Sequence, residues 1–175
     1  MTDETAMLGV FNGDLDKAAV LYERYKRPLL NFYLRFGVES ETSHDLTQQT
    51  FYRLIHYRHT FREGYEFRTW IYRIARNLFH DHLKDNHLKM SQLDENTDFE
   101  AEQSYDDENH QLVRIALQKL PDEYREVLHL SRFEELKYEQ ISEILNVSVS
   151  VVKVRVYRAI KKLREVYLSL DVDVM

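Results

Sequence analysis

The hydrophobic positions of residues 1–86 recur at intervals of three and four, the spacing that places side chains on one side of an α-helix. Pro28 is well placed to open a helix and Gly37 to end one, because proline suits the first helical turn and glycine suits the position after the last. These signals predict four helices in this half of the chain, at about residues 15–25, 28–36, 42–59 and 67–84.

The same spacing returns later in the chain and predicts four further helices, at about residues 111–120, 121–133, 138–145 and 149–168. Residues 87–108 have no such repeat and are dense in Asp, Glu, Asn, Gln and Ser, a composition that cannot offset the entropy of ordering. The chain has only four Gly and two Pro, so it is also poor in hairpin turns. We therefore predict an all-α fold of two small domains, residues 1–86 and 109–175, joined by a flexible acidic linker at 87–108.

The formal net charge of −6 argues against nucleic-acid binding until its distribution is considered. Residues 1–85 carry twelve Lys/Arg and twelve Asp/Glu, whereas residues 86–110 carry one Lys and eight acids. Residues 111–165 carry eleven Lys/Arg against eight acids. The acidic charge is therefore concentrated between the predicted domains. The net charge of the chain does not exclude nucleic-acid binding by either domain.

The absence of cysteine excludes disulfides and a cysteine-built zinc site. The first thirty residues lack the basic start, apolar stretch and small-residue cleavage site of a secretory signal. No apolar run is long enough to span a bilayer, so we expect no direct membrane insertion. These features predict a cytoplasmic protein.

The predicted helices at 138–145 and 149–168 are separated by Asn146-Val147-Ser148, which has the form of a helix-turn-helix. Asn146 tolerates the left-handed conformation that a tight turn often needs, and Ser142 is small where the helices approach. The last helix carries cations on its outer faces, namely Lys153, Arg155, Arg158, Lys161, Lys162 and Arg164. Such a face suits DNA phosphates, although a merely solvated basic face and other helix-turn-helix regulators are equally compatible with this segment alone.

Two segments of the first domain carry further candidate surfaces. The segment DLTQQTFYRLI has a polar outer stripe, formed by Asp45, Gln48, Gln49, Tyr52 and His56, which is either a docking face for another helix or plain solvated surface. The segment FRTWIYRIARNLFHDHLK and the loop before it interleave basic and aromatic side chains. That combination suits single-stranded DNA, where bases stack on rings and phosphates meet cations, but each ring is as well explained as core.

Together these segments resemble the extracytoplasmic-function (ECF) type of bacterial RNA polymerase sigma factor. The stretches DLTQQTF and FRTWIYRIARNLFHDHLK resemble the family's second conserved region, and residues 117–163 resemble its fourth. The resemblance implies a subunit that binds RNA polymerase core, directs it to specific promoters and helps to open the −10 element. It also implies a protein that is no enzyme and that has no catalytic residue, metal, cofactor or small-molecule substrate of its own.

The resemblance assigns a role to each matching residue. The residues expected to hold the β′ clamp helices of core polymerase are Asp45, Leu46, Gln48, Gln49, Phe51 and Tyr52. Those expected to bind the −10 element are Phe61, Arg62, Tyr65, Arg68, Thr69, Trp70, Arg73, Arg76, Asn77 and Asp81, with the loop 61–66 capturing a flipped base. Those expected to read the −35 element, beside the β flap, are Ser148, Ser150, Val151, Lys153, Arg155 and Arg158.

The chain departs from the family pattern in two places. The last helix has Val151-Val152-Lys153-Val154-Arg155 where Thr-Val-Lys-Ser-Arg is usual, so two hydroxyl donors are replaced by valines. Apolar contact with thymine methyls is a possible substitute for the lost hydrogen bonds. Gln49 stands where Glu is usual, which removes one charge from the clamp-binding stripe.

The resemblance further implies an anti-sigma factor as partner, often membrane-anchored, which would hold the chain at the inner membrane. Two other functions remain open from the residues alone. A free-standing repressor or activator explains the helix-turn-helix but neither segment of the first domain. A metal-dependent phosphohydrolase is suggested by His80-Asp81-His82 with His56 and His59, although His80 and His82 fall on different sides of a helix.

Overall fold

The computed structural model describes residues 1–90 and 108–174, and every regular element in these residues is helical. The chain forms two compact units, Met1–Asp98 and Phe99–Met175. The predicted all-α class is thereby confirmed. Most of the predicted linker, at residues 91–107, lies outside the described residues. None of the described helices is long and apolar enough to cross a membrane.

The first unit contains four α-helices in the part that the structure describes. They are α1 (Asp3–Phe11), α2 (Asp16–Arg35), α3 (Ser40–His56) and α4 (Phe67–Met90), with a 3-10 turn at Arg58–Thr60 between the last two. Helix α4 continues six residues beyond its predicted end at 84, so that residues 87–90, the first part of the predicted linker, are helical.

Helix α1 is absent from the sequence prediction, although a local signal for it exists. The Thr2 hydroxyl caps the helix by accepting a hydrogen bond from the backbone N–H of Thr5, at 3.1 Å. Asp3 begins the first turn, where a negative charge stabilises the helix dipole. Asp3 also binds α2: its carboxylate lies 2.6 Å from the Arg24 guanidinium and accepts a hydrogen bond from the Tyr25 hydroxyl at 2.6 Å. Burial and this carboxylate raise the pKa of Tyr25 above its ordinary value, so the hydroxyl stays a proton donor.

Helix α2 corrects the prediction of two helices meeting at Pro28, because it runs unbroken through that residue. A proline inside a helix costs about 3 kcal/mol. The helix nevertheless buries one continuous stripe on both sides of the proline, consisting of Leu21, Tyr25, Leu29, Phe32 and Tyr33. Each such side chain contributes roughly 1.5–3 kcal/mol on burial, so the stripe outweighs the cost of the proline.

Tyr33 links α2 to both helices behind it. Its hydroxyl donates to the Ala75 carbonyl of α4 at 3.1 Å and lies 2.8 Å from the Thr50 hydroxyl of α3. Tyr33 is fully buried, and this burial raises the pKa of the hydroxyl. The three helices are therefore joined by a hydrogen-bonded group that water cannot reach.

We expect Tyr33→Phe to lower the free energy of unfolding of the first unit by about 1–3 kcal/mol, because buried polar partners lose their hydrogen bond. Urea unfolding followed by fluorescence of Trp70, the single tryptophan, measures this unit selectively. Tyr52→Phe removes a hydroxyl from an exposed ring and serves as the matched control. Equal midpoints for the two variants would show that the Tyr33 hydroxyl contributes nothing.

Helix α4 is buried around more of its circumference than one amphipathic stripe. Ile71, Ala75 and Leu78 are buried and have the spacing of one such stripe. Tyr72 lies outside that stripe and is nevertheless fully buried, with its ring 5.6 Å from that of Phe32 in an edge-on arrangement. The helix packs against its three neighbours in the unit, so a single stripe could not satisfy them all.

The second unit contains α5 (Glu108–Gln118), α6 (Asp122–Leu128), α7 (Tyr138–Leu145) and α8 (Val149–Val174). Helices α5, α6 and α7 all pack on α8. Each predicted helix is present, but α5 begins three residues before its predicted start at 111 and α8 continues six residues beyond its predicted end at 168. The helix predicted at 121–133 ends as an α-helix at Leu128 and continues as a π-helical turn, His129–Phe133.

The turn between α7 and α8 has the predicted form. Asn146 adopts the left-handed conformation, with φ 54° and ψ 47°. The Ser142 hydroxyl donates to the Val147 carbonyl, which holds the turn against α7. The Ser148 hydroxyl accepts a hydrogen bond from the Val151 backbone N–H at 3.2 Å, so it caps the start of α8. The helix-turn-helix is therefore stabilised by contacts within its own ten residues.

Candidate nucleic-acid and protein interfaces

One side of α3 forms a continuous polar surface, which we call the α3 face. Its side chains are all exposed and recur at helical spacing; they are Asp45, Gln48, Gln49, Tyr52 and His56. The rings of Tyr52 and His56 lie nearly parallel, with centroids 6.1 Å apart, so they form one aromatic surface beside the amides. The side chains of the predicted outward stripe are thus exposed, and they comprise one carboxylate, two amides and a pair of rings.

The opposite side of α3 explains why this face points outward. Leu46 and Phe51 are buried, and the Phe51 ring meets that of Tyr22 edge-on at 4.9 Å. Both residues were predicted to contact polymerase, but their side chains belong to the core of the unit. Their burial leaves the exposed residues of α3 as the candidate contact surface.

The residues predicted to bind the −10 element divide into three groups by exposure. Those exposed are Arg62, Tyr65, Arg73, Asn77 and Asp81; those half-buried are Arg68 and Arg76; those buried are Phe61, Thr69 and Trp70. The Phe61 and Trp70 rings meet edge-on at 5.4 Å inside the unit. Of the predicted aromatic side chains, only Tyr65 presents its ring for stacking in the part of the chain that the structure describes.

The loop that carries Tyr65 is anchored at both ends. Phe61 is buried at its start, and the Phe67 backbone N–H at its end donates to the Glu4 carboxylate of α1 at 3.1 Å. Gly64 has φ +89°, a conformation that favours glycine, and it allows the chain to turn between these anchors. Helix α1 therefore helps to hold the loop, a contribution that sequence reasoning missed because it joins residues sixty-three positions apart.

The outer side of α4 carries more positive than negative charge. Arg73 is exposed and Arg76 half-buried, one turn apart along the helix. The Arg68 guanidinium lies over the Tyr72 ring, 6.0 Å from its centroid, which holds it against the helix surface. Asp81 is the nearby acid, and its carboxylate lies 3.3 Å from the Arg53 guanidinium of α3. The negative charge of Asp81 is thus already balanced within the unit.

The His80-Asp81-His82 segment does not form a convergent site. The His82 Nε2 atom lies 3.0 Å from the Asn86 Nδ2 atom of the same helix, and the Asp81 carboxylate is paired with the Arg53 guanidinium. Within residues 1–90 and 108–174, no three His, Asp or Glu side chains are placed to hold a metal ion together. The described geometry therefore gives the phosphohydrolase hypothesis no support.

The exposed side of α8 forms the second candidate surface, which we call the α8 face. It consists of Ser150, Val151, Lys153, Val154, Arg155 and Arg158, all exposed except the half-buried Arg155. Arg155 lies 3.6 Å from the Glu123 carboxylate of α6, which restrains its side chain. Ser148, predicted to read DNA, is exposed, and its hydroxyl oxygen caps the helix by accepting from the Val151 backbone N–H. Val154 is not among the residues expected to read the −35 element, but it is exposed, whereas Val152 and Val156 of the same helix are core.

Comparison with known proteins finds a family model for each unit. Residues 21–88 match the family model described as Sigma-70 region 2, and residues 110–163 match that described as Sigma-70, region 4. RNA polymerase sigma factor YlaC of Bacillus subtilis (strain 168) is 32% identical over 159 residues, which cover 86% of this chain and 91% of that protein. ECF RNA polymerase sigma factor SigM of the same organism is 26% identical over 152 residues, covering 84% of this chain and 93% of that protein.

A solved structure has the same fold. It is that of the sigma factor RpoE from Bartonella quintana, in complex with the anti-sigma factor NepR. The match has a TM-score of 0.73 at 20% sequence identity and covers 85% of this chain and 94% of the other. At this identity the likeness concerns the fold alone.

Proposed function

The chain belongs to the sigma-70 family of RNA polymerase sigma factors, of the ECF type, and directs RNA polymerase to promoters; on this premise we propose how its two units divide the task. The first unit binds core polymerase and the −10 element, and the second binds the −35 element. Polymerase supplies the chemistry of phosphodiester formation, so the chain needs neither a catalytic residue nor a cofactor.

The α3 face is the surface that we assign to the β′ clamp helices of core polymerase. It supports this role because it is exposed, helical and polar, with the Tyr52 and His56 rings at one end. A helical partner can pack along such a stripe, and aromatic side chains are enriched at the centre of protein interfaces. Leu46 and Phe51 hold α3 in place from the core side, so they act as positioning residues.

The loop at residues 61–66 is the segment that we assign to the opened −10 element. The observation that carries this assignment is that Tyr65 is exposed on a loop that Phe61 and Glu4 hold at its ends. A base that leaves the duplex can stack on this ring, and the exposed Arg62 and Arg73 can meet phosphates. Phe61 and Trp70 form the support beneath the loop rather than the stacking surface.

The α8 face is the surface that we assign to the −35 element. Lys153 and Arg158 are exposed cations in the second and third turns of a helix that the turn at Asn146 presents outward. Cations release counterions from DNA phosphates, and residues at the start of a recognition helix reach base edges in the major groove. The same unit would lie beside the β flap when the holoenzyme is assembled.

We place the protein in the cytoplasm and expect an anti-sigma factor to regulate it. The structure of RpoE with the anti-sigma factor NepR supports such a partner, since the two sigma factors share a fold. A membrane-anchored inhibitor would hold the chain at the inner membrane until released.

The assignment of Tyr65 is tested in a reconstituted holoenzyme. We expect Tyr65→Ala to lower promoter opening about tenfold, because base stacking on an aromatic ring contributes about 1–3 kcal/mol. Opening is measured by permanganate reactivity of unpaired thymines on a linear duplex promoter. On a template already unpaired across the −10 element, the variant should regain wild-type transcription, since opening is no longer required.

Tyr57→Ala is the matched control, because Tyr57 is 45% exposed and Tyr65 is 47% exposed in the same unit. Equal opening by the Tyr65 and Tyr57 variants would remove Tyr65 from the mechanism. Tight duplex binding by the chain alone, with no response to core polymerase, would instead favour a free-standing regulator.

A further inference from the structure

Two valines of the α8 face are exposed to solvent, so packing in the core does not explain their presence. Val151 is 38% exposed and Val154 is 46% exposed, whereas Val152 and Val156 of the same helix are buried against the rest of the unit. Because α-helical residues three apart lie on one side, Val151 and Val154 form a single small apolar surface. Helices α5, α6 and α7 pack on the other side of α8 and leave this surface uncovered.

Valine is a poor choice for a purely solvated helix position. Its β-branched side chain loses rotamer freedom in a helix, and lysine or glutamate would form the helix better. Because the two valines are exposed, they also gain no burial energy to offset their low helix propensity. Stability therefore gives no reason for valine at positions 151 and 154.

The charges around the valines indicate what covers them. Lys153 and Arg158 are exposed beside them, and no acidic residue belongs to this side of α8 between 149 and 164. Such a surface is complementary to a polyanion that also offers apolar groups. Duplex DNA has both, because the thymine C5-methyl group projects into the major groove between two phosphate backbones.

We propose that Val151 and Val154 contact thymine methyl groups in the major groove of the upstream promoter element, an inference that rests on the proposed binding of that element by the second unit. The major groove, about 12 Å wide, admits an α-helix of about 10–12 Å diameter. Three helical residues rise about 4.5 Å, so the two valines can reach the same or adjacent base pairs. Since thymine alone among the four bases carries this methyl, the contact reads sequence without a hydrogen bond.

The experiment begins with duplexes selected from a random pool by holoenzyme made with the wild-type chain. Each thymine of the selected upstream element is then replaced singly by deoxyuridine, which removes the methyl group and leaves base pairing intact. We expect one or two positions to lose about fourfold in affinity, the value of one buried methyl-sized group. Holoenzyme with Val154→Ser, which removes both methyl groups of the valine side chain, should bind the thymine and deoxyuridine duplexes within twofold of each other at one of these positions.

Val172→Ser is the matched control, because Val172 is exposed on the same helix eighteen residues further along; its holoenzyme should keep the full sensitivity to deoxyuridine. Selected elements without thymine, or a deoxyuridine effect that is unchanged in the Val154 variant, would overturn the inference and leave promoter binding intact. Failure to select any upstream element would instead overturn promoter reading by the second unit, and the inference with it.

Discussion

A chain that carries Asp45→Arg and Gln48→Ala is expected to lose stable association with core RNA polymerase. Asp45 is the only carboxylate of the α3 face, and its reversal places a cation where this face otherwise presents an anion to its partner. Disrupting a charged group at a protein interface costs about 2–5 kcal/mol, which is roughly 30-fold or more in affinity. Gel filtration of the chain with purified core polymerase measures the loss directly as failure to co-migrate.

The control for this variant is Asp14→Arg, which makes the same charge change at an exposed residue between α1 and α2. It should co-migrate with polymerase as the wild type does. Asp45 and Gln48 are exposed, so the variant should also keep the unfolding midpoint of the wild type. Co-migration of the α3 variant at wild-type level would reject the α3 face as the polymerase contact.

Reversal of two cations on α8, Lys153→Glu with Arg158→Glu, is expected to lower the affinity of holoenzyme for its promoter roughly 100-fold or more. Hydrogen bonds to charged groups contribute about 1.5–3 kcal/mol each, and both are lost together. The slope of log affinity against log salt should become shallower by about two, because the loss of two phosphate contacts lowers the number of counterions released from DNA. A salt titration of promoter binding by filter retention or fluorescence anisotropy gives both quantities.

Lys119→Glu is the matched charge reversal for this experiment, since Lys119 is an exposed cation of the second unit outside α8. It should preserve both the affinity and the salt slope. Association of the α8 variant with core polymerase should persist, because its first unit is unchanged. A salt slope equal to that of the wild type would show that Lys153 and Arg158 make no phosphate contact.

The two variants separate the steps of initiation. The α3 variant should fail before any DNA is bound, and the α8 variant should fail after the holoenzyme has formed. Tyr65→Ala should permit both of these steps and fail at opening. A single unspecific cause, such as unfolding, would not produce this order of defects.

The sequence by itself determined the helical class and the geometry of the helix-turn-helix. Hydrophobic spacing repeats within each helix, and the left-handed Asn146 and the capping Ser148 act on neighbours within a few residues. The outward stripe of α3 followed from the same periodicity, because one side of a short helix must face solvent when the other is buried. Such features depend on local chemistry, which a sequence displays directly.

Only the tertiary structure decided which of the candidate site residues are surface. Leu46, Phe61 and Trp70 fit both a binding surface and a core, since aromatic and aliphatic groups stabilise either. Pro28 likewise fits a helix start or a helix interior, and the stripe buried on both sides of it settled the matter. These outcomes depend on packing between helices that are distant in sequence, as in the contact of Glu4 with Phe67. The period of a helix is local information, but the partner that covers each side of it is not.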